Sequence, residues 1–100
     1  MGFLEVAVGS ARVVFTDRHG GVSESPYDTA NLGLLTDDDP AAVRENRRRV
    51  GAAVDGAAAD PGRWFRIRQV HGRGVVVAER ESGPPVPAAD ASVAASAGTP

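Results

Sequence analysis

His71 stands in the run Gln69-Val70-His71-Gly72-Arg73, with strand-like apolar segments on both sides and a glycine immediately after it. An imidazole at a tight reversal is either an exposed turn residue or, if flanking strands aim it into a cleft, a metal ligand or acid/base group. His19 has the same chemistry but lies inside the Gly-rich turn Arg18-His19-Gly20-Gly21. Two histidines do not make a catalytic zinc site, which takes three protein ligands and an open position. There is no cysteine, so thiol nucleophiles, disulfides and Cys-based zinc or iron–sulfur sites are excluded. All eleven basic residues are arginine. That removes Schiff-base chemistry, a lysine base and a P-loop lysine.

Among the arginines, Arg47 has the setting that most needs explaining. Val43, Val50 and Val54 fall seven and four residues apart, on one face of a helix, and Asn46 and Arg47 share that face. Arg44 and Arg48 point elsewhere, so Arg47 is expected to be less exposed than either. An inward guanidinium must be paired, because burying it alone costs several kcal/mol. Its partner is either an Asp in a structural salt bridge or an anionic ligand such as phosphate, which suits its planar fork. Gly20-Gly21 could present amides to an anion, or simply turn the chain. Asp37-Asp38-Asp39 looks superficially like a cation site, but a helix start accounts for it. Asp39 caps the free amides, Pro40 takes the first helical position, and the acids oppose the dipole.

The elements that must position these groups follow from local pattern. Phe3–Val8 and Arg12–Phe15 read as a hairpin around Gly9-Ser10. Thr16 to Thr36 has no sustained period and is rich in turn formers, and its anchors Tyr27, Leu32 and Leu34 predict an ordered loop. A helix runs from Pro40 to about Asp55 and stops at Gly56, with Glu45 and Arg49 paired at i,i+4. Residues 64–70 alternate like a half-buried strand, 74–79 form the next, and His71-Gly72-Arg73 joins them as a reversal. Ser82 to Ala88 is a Pro/Gly loop, and Ala91 to Ala95 begin a last strand. The reading is an α+β chain with about five strands and one main helix.

The chain of 100 residues is 42% apolar, but 17 Ala and 14 Val stand against four Leu, one Ile and three Phe. A core of small side chains buries little area, and marginal stability is expected. Net charge is −2, with arginines interspersed among thirteen acids, which argues against nucleic-acid binding. No stretch reaches the length of a membrane span, and Met1 to Ser10 lacks the pattern of a signal peptide. A cytoplasmic location is the expectation.

Several motifs occur in order: Phe15-Thr16-Asp17-Arg18-His19-Gly20-Gly21-Val22-Ser23, Pro26-Tyr27, Asn31-Leu32-Gly33, and Asp38-Asp39-Pro40 with Val43 and Glu45-Asn46-Arg47. Gln69-Val70-His71-Gly72 and Ala89-Asp90-Ala91 then follow. Together they closely resemble the laccase-domain family, once called multicopper polyphenol oxidase and now read as purine nucleoside phosphorylase with adenosine deaminase activity. The resemblance covers about residues 13–95. It implies a mixed-sheet α/β sandwich, of which this chain is the N-terminal portion of a single domain. It also implies zinc held by two histidines and a cysteine, with His71 as the first ligand and a catalytic residue. The cysteine of an Ala-Asp-Cys motif and the second histidine belong downstream, so this chain alone is expected to hold zinc weakly and to be inactive.

Purine nucleosides and phosphate are the implied substrates, with Arg47 and Arg18 suited to the phosphate and Asn31 to substrate contact. Asn31 and Asn46 equally suit bracing of loop and helix. Copper oxidation of phenols is not supported, since the His-rich and Cys ligands it needs are missing. The alternative of a different class is a non-catalytic truncated fragment, or a module that a partner completes.

Overall fold

A computed structural model describes residues 1–78 and 86–100. The chain divides into two compact units, Met1–Asp55 and Gly56–Pro100. The described residues form an α+β structure with two two-stranded sheets and one main helix.

In the first unit β1 (Phe3–Val8) pairs antiparallel with β2 (Ala11–Thr16), from Phe3 opposite Thr16 to Val8 opposite Ala11. Gly9 has φ 58°, the positive value that a two-residue hairpin turn requires at its first central position. The expected hairpin is therefore present, with its ends where the residue types put them. The helix α1 (Pro40–Val54) starts as the sequence predicts: the Asp39 side chain accepts from Ala41 N–H at 2.9 Å, and proline opens the first turn. It ends one residue earlier than expected. Asp55, at φ 62° and ψ −171°, caps the end, its N–H donating to the Gly51 carbonyl at 2.8 Å, and Gly56 follows at φ 63°.

Val43, Asn46, Val50 and Gly51 are the buried residues of α1. Val43 and Val50 are the apolar core of this unit, a small one, as the Ala/Val composition implies. Asn46 is 0% exposed and ties the loop to the helix. Its Oδ1 accepts from Val22 N–H at 2.7 Å. Its Nδ2 donates to Ser23 Oγ at 2.8 Å, the Asn31 carbonyl at 2.9 Å and the Thr29 carbonyl at 3.2 Å. The Thr16–Thr36 loop is thus ordered by hydrogen bonds rather than by apolar packing. Gly21 is required by close approach: a Cβ there would strike the Thr29 carbonyl oxygen and lie 2.6 Å from Asn46 Oδ1.

The second unit departs from expectation. Residues 64–70 do not form a strand; only Arg68 enters a parallel bridge, with Ala88. The hairpin predicted across residues 71–73 does not form either. Instead β3 (Val75–Ala78) pairs parallel with β4 (Ala91–Ala94), from Val75 opposite Ala91 to Ala78 opposite Ala94. The described residues therefore carry four strands rather than five. The cause lies in the amides of Val70, His71 and Gly72, all of which donate to the Asp90 carboxylate and so cannot close a cross-strand ladder. Glu79, the expected end of the second strand, and residues 82–85 of the Pro/Gly loop lie outside the described residues. Two 3₁₀ turns, Gly56–Ala58 and Pro61–Arg63, connect α1 to Trp64, whose indole N–H donates to the Ala58 carbonyl at 2.8 Å.

Two measurements test this account of the first unit. Asn46→Ala leaves several buried polar groups unmatched and should lower unfolding free energy by about 2–3 kcal/mol or more in urea titration, while exposed Arg44→Ala should change it by less than about 0.5 kcal/mol. Glu45 accepts from Arg48 Nε and Nη2, each at 2.8 Å, and from Arg49 Nε at 3.1 Å, and these bonds pull its carboxyl down to about 2. A carboxyl lowered on folding contributes stability above its unfolded value, and that contribution is lost as pH falls through the folded value. Carbon-detected NMR should therefore find Glu45 titrating near pH 2, and the ion pairs on α1 intact at pH 4.

Candidate functional site

The candidate residues Arg18, Asn31 and Arg47 belong to the first unit, and His71 to the second. Arg18 follows the end of β2 and is exposed, but its backbone is fixed. Its carbonyl accepts from Thr29 N–H at 2.8 Å, Ala30 N–H at 2.9 Å and Thr29 Oγ1 at 2.9 Å. A solvent-facing guanidinium on an anchored backbone can reach an anion without reordering the chain.

Arg47 is half-buried while Arg44 and Arg48 are exposed, as helical spacing predicts. Among the described residues its guanidinium is held by a backbone carbonyl, where the structural alternative named an aspartate. Nε and Nη2 both donate to the Leu32 carbonyl, at 2.8 and 2.6 Å. The physical reason is local: the loop turns a backbone oxygen toward the helix, and two N–H groups of the planar fork converge on it. The neighbouring Arg48 and Arg49 both pair with Glu45, and Arg49 also donates to the Gly20 carbonyl at 3.2 Å.

Asn31 is half-buried in a bracing position. Nδ2 donates to Thr36 Oγ1 at 3.0 Å and Asp38 Oδ2 at 3.2 Å, and Oδ1 accepts from Gly33 N–H at 3.0 Å. Asp38 in turn accepts from Ser23 Oγ at 2.6 Å and Asp39 N–H at 2.8 Å. The Ser23 hydroxyl above all, with Asn31 and the Asp39 amide, holds the Asp38 carboxyl below the usual carboxylate range. Asp38 and Asp39 are thus engaged in loop and cap bonds, as a helix start requires. Gly21 N–H is likewise spent, on Thr29 Oγ1 at 3.1 Å. A cavity of about 330 Å³ is lined by Val22, Glu24, Ser25, Tyr27, Asp37, Asp38, Asp39 and Ala42. Its four carboxylates repel phosphate, so this cavity does not suit the anion.

His71 is exposed and sits at φ 56°, in the left-handed region that histidine enters more readily than most side chains. Val70 N–H and His71 N–H donate to Asp90 Oδ1 at 3.0 and 2.7 Å, and Gly72 N–H donates to Oδ2 at 2.7 Å. Arg68 and Val75 lie seven positions apart, where their partners Ala88 and Ala91 lie three apart. The extra residues arch outward, and the Asp90 carboxylate fills the hollow beneath them. Asp90 and Gly74 are tied as well, through Asp90 N–H to the Gly74 carbonyl at 3.0 Å. Sequence reasoning set Asp90 in a motif but gave it no task. The available signal was an acid flanked by small residues, Ala89-Asp90-Ala91, in a segment that must pass close to a loop.

Comparison with known proteins matches this arrangement to one family. Residues 12–100 match the family described as multi-copper polyphenol oxidoreductase laccase. A purine nucleoside phosphorylase of Streptomyces griseus is 47% identical over 92 residues, covering 90% of this chain and 36% of the relative. One from Streptomyces coelicolor is 45% identical, covering 91% of this chain and 37% of the relative. The crystal structure of a Neisseria meningitidis protein of the DUF152 family superposes with a TM-score of 0.74 at 36% identity, over 92% of this chain and 36% of that one. The chain thus spans little more than a third of the length of the relatives it matches. With the match running from β2 to the last residue, this chain belongs to the multi-copper polyphenol oxidoreductase laccase family.

Proposed function

We propose that this chain is part of a purine nucleoside phosphorylase, cleaving purine nucleosides with phosphate to free base and sugar 1-phosphate, with adenosine deamination as a second activity. The observation that carries the reading is the alignment, over 90% of the chain, with a relative bearing the name purine nucleoside phosphorylase. An exposed histidine on a pinned arch and two anchored arginines support it.

In phosphorolysis a phosphate oxygen bonds to C1′ as the glycosidic bond breaks, and the purine leaves with the electron pair and takes up a proton. The sugar passes through an oxocarbenium-like state, so holding the phosphate oxygen in line is worth a large share of the barrier. Arg18 is the better placed of the two arginines to meet an incoming anion. Arg47 orders the Leu32 backbone and adds positive potential on the helix face. Asn31, with both amide hydrogens engaged, acts on the substrate through the shape of the loop. His71 supplies an imidazole, the side chain best suited to proton transfer near neutrality.

Zinc is implied by the family resemblance, but the described residues do not fit it. No group of three or more His, Cys, Asp or Glu is assembled among them, and one imidazole does not hold the ion. No described helix is long and apolar enough to cross a membrane.

A second reading, a module completed by further polypeptide, is favoured by the exposed Val75, Val77 and Val93 of the parallel sheet, at 61%, 64% and 56%. Parallel sheets are ordinarily covered on both faces.

Fusing this chain to the remainder of the Streptomyces griseus relative should yield phosphate-dependent release of hypoxanthine from inosine. In that protein His71→Ala should lower kcat by about a hundredfold or more with circular dichroism unchanged, since an exposed side chain leaves no core cavity. Arg18→Ala should raise the phosphate KM by about tenfold and leave the nucleoside KM within about twofold. Full activity in folded His71→Ala would overturn the role given to His71. The unextended chain should bind zinc more weakly than micromolar in equilibrium dialysis; tighter binding lost in His71→Ala would show a site the described residues do not display.

A further inference from the structure

We propose that Asp90 is the positioning residue for His71, holding it in the left-handed conformation and thereby fixing the direction in which the imidazole leaves the backbone. The inference rests on the reading of His71 as a catalytic group and adds to it the residue that presets its geometry.

Three successive amides, from Val70, His71 and Gly72, converge on one carboxylate within 3.0 Å. Such a concavity of N–H groups is an anion-binding nest, and here the anion is supplied by the chain itself. Charge-assisted bonds of this length are stronger than neutral ones, and three of them acting on consecutive residues leave the arch little freedom. The conformation so held is one that a side chain bearing Cβ does not choose unaided: φ 56° at His71 is disfavoured relative to the right-handed region. Without the carboxylate, His71 would relax to negative φ and swing its Cα–Cβ bond away.

The fit is close on the far side too. A Cβ on Gly72 would lie 3.3 Å from Asp90 Oδ2, tighter than ordinary contact, so a side chain there would press on the carboxylate by a few tenths of an ångström. Asp90 is itself held from both ends. Ala89 beside it is 0% exposed and its N–H donates to the Arg68 carbonyl at 3.1 Å, while the N–H groups of Asp90 and Ala91 both donate to the Gly74 carbonyl. The carboxylate is therefore fixed by a backbone paired on both sides of the arch.

The test is amide hydrogen exchange and NMR couplings on the 100-residue chain and its Asp90 variants. In Asp90→Ala the amides of residues 70, 71 and 72 should exchange at least about tenfold faster, and the couplings that report φ and χ1 of His71 should move to averaged values, while β1 and β2 keep their protection. Asp90→Asn gives a graded result that simple loss of folding does not mimic. Its oxygen still accepts from Val70 and His71, but its NH₂ faces Gly72 N–H, so Gly72 alone should lose protection. Asp90→Asn also keeps the proposal testable if Asp90→Ala does not fold. Unchanged exchange at all three amides in folded Asp90→Asn, or a left-handed His71 retained in folded Asp90→Ala, would overturn the proposal. Loss of protection at all three amides in Asp90→Asn together with a left-handed His71 would overturn it as well. These readouts involve no turnover, so they decide the role of Asp90 even if His71→Ala proves active in the fused enzyme and the functional reading fails.

Discussion

The primary amide of Asn46 carries the first unit. A loop of some twenty residues has no ladder to satisfy its N–H and C=O groups, and where it is packed against a helix those groups need partners other than water. One fully buried side chain supplies them, accepting from Val22 and donating to Ser23, Thr29 and Asn31. Asn46 can do this because it has both a donor pair and an acceptor, which neither a carboxylate nor an aliphatic side chain offers. Everything the loop presents follows from it: the Thr29 segment that fixes the Arg18 carbonyl, the turn that aims the Leu32 carbonyl at Arg47, and the Ser23 hydroxyl on Asp38.

The second unit solves the same problem with a charge. There the groups to be satisfied are all donors, so an acceptor-only carboxylate is the matching choice, and Asp90 takes three of them. In both units a polar side chain stands where a sheet ladder would otherwise be. The apolar core is small, with Val43, Val50, Ala78 and Ala89 its buried members among the described residues. Specific hydrogen bonding therefore sets the conformation of the loops more than packing does.

Local signals were legible and non-local ones were not. The Asp39-Pro40 start, the Gly9-Ser10 reversal and the inward face of α1 each depend on residues within a few positions of one another. Sequence pattern reports those directly. That Asn46 and Arg47 face inward followed from spacing, but the identity of their partners did not, because the Leu32 and Asn31 carbonyls carry no mark in the sequence. Residues 64–70 have the alternation of a strand, yet alternation records a half-buried face and says nothing of a pairing partner. The true pairings of the segment lie about twenty residues onward, through Arg68 with Ala88, and the intervening arch was invisible because its cause, Asp90, is equally distant. The family motifs carried what local pattern could not, since the Gln69–Gly72 and Ala89–Ala91 runs are the two sides of that contact.

The parallel register of β3 with β4 has a consequence for the order of events on the ribosome. The hairpin and the capped helix draw their pairing and capping bonds from residues close in sequence, so those partners emerge together. The arch bearing His71 is different, since its amides must remain bound to water until the segment from Pro87 to Ala94 has been synthesised and has laid itself alongside. A nascent chain stalled before Asp90 would therefore present the amides of Val70, His71 and Gly72 without the carboxylate they bind in the finished fold.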